Sequence, residues 1–350
     1  MKKALITGIT GQDGAYLADY LLKRGYKVFG LFRRTSTPNF WRLYSLDIFN
    51  RVNLISGDLD DTGSLSEALN ISDPDEVYHL AAQSFVEASF ESPYSTGVIT
   101  GLSTTSLLEA IRHHNSDIKF YFAGTSEMFG DYGNDGKSLD ERSLFMPMSP
   151  YAAAKLYGFW ITKIYRKAYG IFASCGLLFN HESPLRGLEF VTRKIANEVS
   201  KVSYGISNEI RLGNLDSRRD WGYAPEYVEA MWKMLQTDEP QDYVVATGEA
   251  HSVKEFLELA AEIAGIDWEK YTVVDERFKR PLDVPALVGN PIKARNELDW
   301  SPRTGFDDLV KIMVNEEMKR WKMYLEGDRF PWDVPNYQDE NSILKTRIRK

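Results

Sequence analysis

The sequence predicts an α/β protein: a doubly wound parallel sheet with a smaller α/β lobe on its C-terminal side. Three observations carry this reading. Over the first 180 residues, short apolar runs alternate with helical periods, the pattern of a parallel sheet covered on both faces. The first run is followed at once by the glycine-rich turn Gly8-Ile9-Thr10-Gly11-Gln12-Asp13-Gly14. After about Asn180 strand-like runs become fewer and proline-containing turns intervene, at Ser183-Pro184, Arg280-Pro281 and Asn290-Pro291.

In chain order, the strand candidates are Ala4–Thr7, Val28–Phe32, Val52–Ser56, Val77–Leu80 and Phe120–Ala123. Each is apolar, continuous and too short for a helix. Helical periods lie between several of them, at Tyr16–Lys23 and Thr104–Arg112. Strand, glycine turn and helix in that order describe a Rossmann-type nucleotide-binding fold. In the second half, helices are readable at Val191–Lys201, Glu226–Leu235 and Val253–Ala264. The expected division is a nucleotide-binding domain over 1–180, a substrate lobe over 181–326 interleaved with it, and a tail over 327–350. The tail carries charges, prolines and isolated aromatics, and reads either as a docked arm or as a partly disordered segment.

Composition narrows the function. The chain has 350 residues, 43% hydrophobic and 26% charged, which suits a soluble globular protein and excludes disorder as its main state. A net charge of −8 argues against general nucleic-acid binding but leaves room for a local basic pocket. The single cysteine, Cys175, excludes an internal disulfide framework and a cysteine-based zinc cluster, and suits the cytoplasm. The N-terminal apolar run breaks at Thr7-Gly8, too early for a signal peptide or a membrane span. No metal site is expected. His181-Glu182 lacks the spacing of a zinc motif, and His79 is expected to pack beneath the sheet.

Gly8, Gly11 and Gly14 are spaced G-x-x-G-x-x-G. Glycines let the chain turn tightly and bring backbone amides up to a pyrophosphate, while the helix that starts there adds its positive end. Gln12 and Asp13 fall in that first turn. At the end of the second strand stand Arg33 and Arg34, where a NAD site places an acid. Guanidinium groups suit a 2′-phosphate, so these residues point to NADP; the alternative is a solvated basic turn. Asp58-Leu59 follows the third strand, and Asp58 is either an adenine contact or an ordinary turn residue.

Tyr151 and Lys155 stand at i and i+4, on one face of a helix. A nearby ammonium lowers the pKa of a tyrosine, making a base that can take a proton from a sugar hydroxyl while hydride leaves for a nicotinamide. Thr125-Ser126-Glu127 follows the fifth strand, at the edge where such sheets hold their ligands. Plain hydride transfer needs no second acid or base, so Glu127 points to a further proton transfer and loss of water. A surface glutamate is the plain alternative.

These residues resemble the extended short-chain dehydrogenases/reductases and, within them, the GDP-mannose 4,6-dehydratases. The resemblance runs from residue 1 to about residue 320. It rests on ITGITGQDG, LAAQSFVEASFESP from Leu80, TSEMFG from Thr125, SPYAAAKLYGFWIT from Ser149, LFNHESPLRGLEFVTRKI from Leu178, LGNLDSRRDWGYAPEYVEAMW from Leu212, DYVVATGEAHSV from Asp242 and RPLDV from Arg280. It implies GDP-mannose as substrate and Thr125, Glu127, Tyr151 and Lys155 as the catalytic set. It further implies Asn180, Lys194, Arg219, Arg280 and Asp283 around the nucleotide portion of the substrate, with Arg186 a weaker candidate for the same site or for a subunit contact. It implies a homodimer or homotetramer built through the helices of Thr104–Arg112 and Tyr151–Tyr165. Gly124, Met148 and Asp283 depart from the family pattern of Ser, Arg and Glu. A nucleotide-sugar 4-epimerase or 4-keto reductase, the competing reading, needs Tyr151 and Lys155 but not Glu127.

Overall fold

The computed structural model describes residues 1–36, 39–135, 137–275, 284 and 286–328. Six strands run through the first half: β1 (Lys3–Thr7), β2 (Lys27–Phe32), β3 (Asn53–Ser56), β4 (Glu76–His79), β5 (Lys119–Ala123) and β6 (Ala173–Leu178). A seventh, Asp242–Val245, joins them from the second half. Across the sheet the order is Asp242–Val245, β6, β5, β4, β1, β2, β3, and every pairing is parallel. The order reverses between β1 and β4, so the ligand crevice of a doubly wound sheet opens above Thr7 and His79.

The five expected strands are present, each end within one residue of its expected position. β6 and Asp242–Val245 escaped the sequence reading for a physical reason. β6 reads Ala-Ser-Cys-Gly-Leu-Leu, although all six residues are buried. Gly176 is small because a Cβ there would lie 2.3 Å from the Tyr121 hydroxyl. Asp242–Val245 is only four residues long and begins with a charge.

The strands alternate their side chains between two cores. Ala4, Ile6, Tyr78 and Tyr121 pack with Leu17 and Leu21 of the helix Gln12–Lys23 (α1) and with Tyr227 and Met231 of the helix Ala224–Met234. Leu5, Val77, Phe120 and Phe122 face the other way, onto Leu65, Leu69, Leu107, Ile111 and Phe159 of the helices Thr62–Ser72, Ser103–His114 and Pro150–Tyr169. Burying each large apolar side chain contributes about 1.5–3 kcal/mol.

Helices begin where the chain caps them. α1 starts four residues before its apolar period, because its polar first turn Gln12-Asp13 carries no apolar signal. The helix Pro150–Tyr169 is capped by the Ser149 hydroxyl, which accepts from the Ala152 amide at 3.1 Å, with Pro150 in the first turn. Ser252 and Glu255 form a capping box on Val253–Ala264, as the capping preference for Ser/Thr followed by Glu describes.

A third core lies in the second half. Ile195 and Val199 of Val191–Ser203, Phe256 and Leu257 of Val253–Ala264, and Val310 and Met313 of Phe306–Leu325 interlock there. Short strand pairs flank it: Ile210–Leu212 with Thr272–Val274, and Arg218–Arg219 between His251–Ser252 and Ala286–Leu287. The strand Asn180–Glu182 pairs with Trp221–Tyr223 and carries the chain from the sheet into this lobe. Among the described residues no helix is long and apolar enough to cross a membrane, and no group of three or more His, Cys, Asp or Glu could hold a metal ion.

Candidate active site

Two cavities open at the carboxyl ends of the strands. The first, about 680 Å³, is lined by the glycine turn, Arg33, Asp58, Leu59, Ala123, Thr125, Tyr151 and Lys155. The second, about 750 Å³, reaches into the C-terminal lobe and is lined by Lys194, Lys201, Leu212 and Arg219 among others. Both volumes suit small-molecule ligands. Six residues border both cavities: Ala88, Glu127, Asn180, Arg186, Glu189 and Phe190.

The glycine turn is built to admit a backbone-bound anion. Gly8 adopts φ +73°, and a Cβ there would lie 2.8 Å from the Ala81 Cα. A Cβ on Gly14 would lie 2.3 Å from the Gly8 carbonyl oxygen. Only glycine lets β1, α1 and the segment after β4 approach this closely, and the first amides of α1 are left facing the cleft. These residues fit a dinucleotide.

The Gln12 and Asp13 side chains are engaged within the protein. Gln12 donates to the His181 carbonyl at 3.1 Å and accepts from the Ser183 hydroxyl at 2.7 Å. Asp13 Oδ2 lies 2.8 Å from His181 Nε2, while His181 Nδ1 faces the Phe179 carbonyl at 2.7 Å. Both ring nitrogens meet acceptors, so the ring is an imidazolium held by a carboxylate. Burial opposes Asp13's charge, but the His181 charge and hydrogen bond hold its carboxyl down at about 2. His181 is raised in spite of its burial, chiefly by Asp13. What Gln12 and Asp13 offer the cleft is thus their backbone.

Arg33 lines the first cavity and Arg34 does not. A cation that the sequence reading missed does: Arg42 donates to Leu185 O at 2.7 Å and to Thr10 O at 3.1 Å. It ties the glycine turn to the loop after Asn180–Glu182. A lone arginine on the short helix Trp41–Ser45 gives no sequence signal.

The Ser-Pro start of its helix places Tyr151 in the first turn and Lys155 one turn further, both buried. Tyr151 and Thr125 line the first cavity together, and Thr125 pulls the phenol pKa down against its burial. Thr125 caps the short turn Ser126–Met128 by accepting from the Glu127 amide at 3.3 Å, which sets Glu127 at the border of the two cavities. Lys155 Nζ donates to the Ala123 carbonyl at 2.8 Å, and burial lowers its pKa to about 8. The expected lowering of Tyr151 does not appear. Burial raises the phenol, Thr125 and Arg186 pull against that rise, and the Glu127 charge adds to it. The Lys155 ammonium is turned to a carbonyl at the end of β5 instead.

His79 is buried between Phe120 and Phe122, and burial followed by the Lys155 charge lowers it to about 3. It is neutral and bonded through Nδ1 to the Thr7 hydroxyl at 2.9 Å. Gly124 has a packing reason: a Cβ there would lie 2.7 Å from the Gly176 carbonyl oxygen. Met148 is half-buried against the core of the same sheet face.

The residues expected around the nucleotide divide as follows. Asn180 lines both cavities, while Lys194 and Arg219 line the second. Arg219 is buried and donates to the Val284 carbonyl at 2.8 Å. Arg186 pairs with Glu182 at 3.1 Å and lays its guanidinium 3.7 Å over the Phe190 ring. Arg280 and Asp283 lie outside the described residues.

Comparison with known proteins decides the family. Residues 5–313 match the family model of GDP-mannose 4,6 dehydratase. The chain belongs to the GDP-mannose 4,6-dehydratase family. It is 48% identical over 328 residues to GDP-mannose 4,6 dehydratase 1 of Arabidopsis thaliana, covering 91% of this chain and 90% of that one. It is 45% identical over 341 residues to GDP-mannose 4,6 dehydratase of Homo sapiens, covering 90% and 91%. Among solved structures it is similar to the Thermus thermophilus UDP-glucose 4-epimerase complex with NAD, at TM-score 0.80 and 26% identity, covering 90% of this chain and 98% of that one. It also shares the fold of RMD from Pseudomonas aeruginosa complexed with NADPH, at TM-score 0.75 and 22% identity, covering 91% and 100%. Two acids, Glu127 and Glu189, border both cavities, and Glu127 is the one that directly follows the Thr125-Ser126 pair after β5.

Proposed function

We propose that this chain converts GDP-mannose to GDP-4-keto-6-deoxymannose, with NADP as a cofactor that is regenerated in each turnover. The observation that carries the reading is the placement of Glu127 at the border of a dinucleotide cleft and a second cavity, beside the Thr125–Tyr151 pair. In this reading Gly8, Gly11, Gly14 and the amides of Gln12 and Asp13 hold the pyrophosphate, with Asp58 and Leu59 at the adenosine end. Arg33 and Arg42, which line the first cavity, supply positive charge for a 2′-phosphate, and Arg34 stands outside it. Asn180, Lys194 and Arg219 hold the substrate diphosphate and nucleotide, joined by Arg280 and Asp283.

NADP, held by the glycine turn and Arg33, would supply a reversible hydride acceptor for the C4 and C6 carbons of the sugar. Tyr151 takes the proton of the C4 hydroxyl, whose oxygen Thr125 orients. Its phenol is raised by burial, so a positive charge beside it is required, and the buried Lys155 contributes part of that charge. The C4 ketone acidifies the C5 proton. Glu127 takes that proton and gives it to the C6 oxygen, which leaves as water. A proton returned to C5 matches the one taken at C4, and the net change is loss of one water. A 4-epimerase or 4-keto reductase leaves Glu127 without this role.

The proposed division of labour is a cofactor part over 1–180 and a substrate part over 181–326 that lends Ala224–Met234 and Asp242–Val245 back to the sheet. The setting proposed is the cytoplasm, in keeping with the single, buried, free Cys175. A homodimer or homotetramer is proposed through the helices Ser103–His114 and Pro150–Tyr169, the second of which exposes Tyr157, Trp160 and Ile164, while Leu102 is exposed just before the first; light scattering at micromolar concentration should exceed one chain mass. The test of the reaction is incubation with GDP-mannose and catalytic NADP⁺ followed by mass spectrometry. The sugar nucleotide should lose 18 mass units, about one water, per turnover without net NADPH consumption. A product of unchanged mass would point to an epimerase.

A further inference from the structure

The Arg218-Arg219-Asp220-Trp221-Gly222 string contains a buried acid that the reaction does not use. Asp220 lines neither cavity and has no exposed surface. Its carboxylate is nevertheless filled with donors. Oδ1 accepts from the Thr247 amide at 2.8 Å and the Thr247 hydroxyl at 2.6 Å. Oδ2 accepts from the Gly248 amide at 2.9 Å and the Gly289 amide at 3.2 Å. The Asp220 amide donates in turn to Leu287 O at 3.1 Å.

The donors come from two chain segments far apart in sequence. One is the turn at Thr247-Gly248, where Gly248 takes φ +91° and leads into the strand His251–Ser252. The other is residues 286–289, the strand Ala286–Leu287 with Gly289 after it. Both strands pair with Arg218–Arg219. Gly289 is packed so closely that a Cβ there would lie 2.2 Å from the Ala246 Cβ. Arg219 reaches across the same junction to the Val284 carbonyl. One buried carboxylate thus ties together the strand that carries Arg219 and both strands beside it.

We propose that Asp220 is a positioning residue for nucleotide binding: it fixes Arg219 against the second cavity. This rests on the reading of Arg219 as a nucleotide contact. The chemistry explains why the residue is an aspartate. A buried carboxylate is costly unless its lone pairs are met, and here four donors meet them. Four donors need an acceptor-only group of this size. Asparagine would aim an NH₂ group at the Gly248 and Gly289 amides, donor against donor.

The experiment compares Asp220→Asn, Thr247→Val and Arg219→Ala in the full chain, with GDP as the calorimetric probe and GDP-mannose for kinetics. Asp220→Asn should raise the Kd for GDP and the KM for GDP-mannose on the order of tenfold. Its kcat and its NADP affinity should stay within about twofold, because Thr125, Glu127, Tyr151 and Lys155 are carried by other elements. Thr247→Val, which removes one hydroxyl donor and nearly keeps the side-chain shape, should move GDP binding the same way by less, and carries the test if Asp220→Asn does not fold. A rise in GDP Kd for Arg219→Ala with no rise for Asp220→Asn or Thr247→Val overturns the proposal alone. GDP binding indifferent to Arg219→Ala overturns the reading of the site and the proposal with it. A parallel fall of kcat and NADP affinity in the Asp220 and Thr247 variants also overturns it, since that is the signature of general loosening.

Discussion

Replacing Asp13 by asparagine tests the electrostatic joint between the glycine turn and the C-terminal lobe. The substitution keeps the size of the side chain and leaves an oxygen to accept from His181 Nε2, but it removes the charge. Asp13 sits 2.8 Å from His181 Nε2, with 23% of its side chain exposed. Its carboxyl is held at about 2, against a reference of 3.8. At 1.36 kcal/mol per pKa unit, the ionised form contributes about 2 kcal/mol to the folded state. The sign follows from both partners. Asp13 is lowered, so its contribution is complete above 3.8 and is lost as pH falls towards about 2. His181 is raised, so its contribution is complete below its reference of 6.5 and is lost as pH rises through its folded value. The difference between wild type and Asp13→Asn should therefore be largest between about pH 4 and 6.5, and shrink on either side. Urea unfolding followed by tryptophan fluorescence across pH 3–9 measures it. A difference in midpoint that stays constant over that range would refute the assignment of His181 as an imidazolium paired with Asp13.

Glu127→Gln should bind GDP-mannose nearly normally while turnover falls by about 10²–10⁴; solvent deuterium should no longer enter C5, and reduced nicotinamide should persist in a single turnover. Tyr151→Phe should suppress that reduction itself, and equal absorbance changes in the two variants would contradict the assigned roles. Arg33→Ala should weaken NADP binding by about 1.5–3 kcal/mol and NAD binding far less, whereas Arg34→Ala should change both little, since Arg34 does not line the cleft. Equal wild-type affinities for NAD and NADP, measured by calorimetry, would remove the basis for that expectation. Gly14→Ala would set a Cβ 2.3 Å from the Gly8 carbonyl oxygen, so thermal unfolding should show a clear loss of stability and NADP titration a loss of binding.

The sequence by itself determined the sheet on which the site rests and the chemical groups of that site. Five strands could be read because each is a largely apolar run, buried on both faces except in the edge strand β3, and that pattern is local to the chain. The glycine turn, the Tyr151–Lys155 spacing and Glu127 were readable because their geometry comes from one strand end or one helix turn. Tertiary structure decided the rest. β6 was hidden because Gly176 answers to the Tyr121 hydroxyl, a neighbour 55 positions away. Asp242–Val245 finds its place only by pairing with β6. The Gln12 and Asp13 side chains turn to Ser183 and His181 about 170 residues further on, partners that no local pattern indicates. Arg42 and Asp220 acquire their positions from carbonyls and amides of distant segments. The ionisation of the site was decided the same way. An ammonium one helical turn from Tyr151 suggested a lowered phenol, but burial raises it, and burial is a property of the assembled fold. Local periodicity determines which elements form; which polar groups lose water, and which partners replace it, depends on contacts that exist only once the chain has closed on itself.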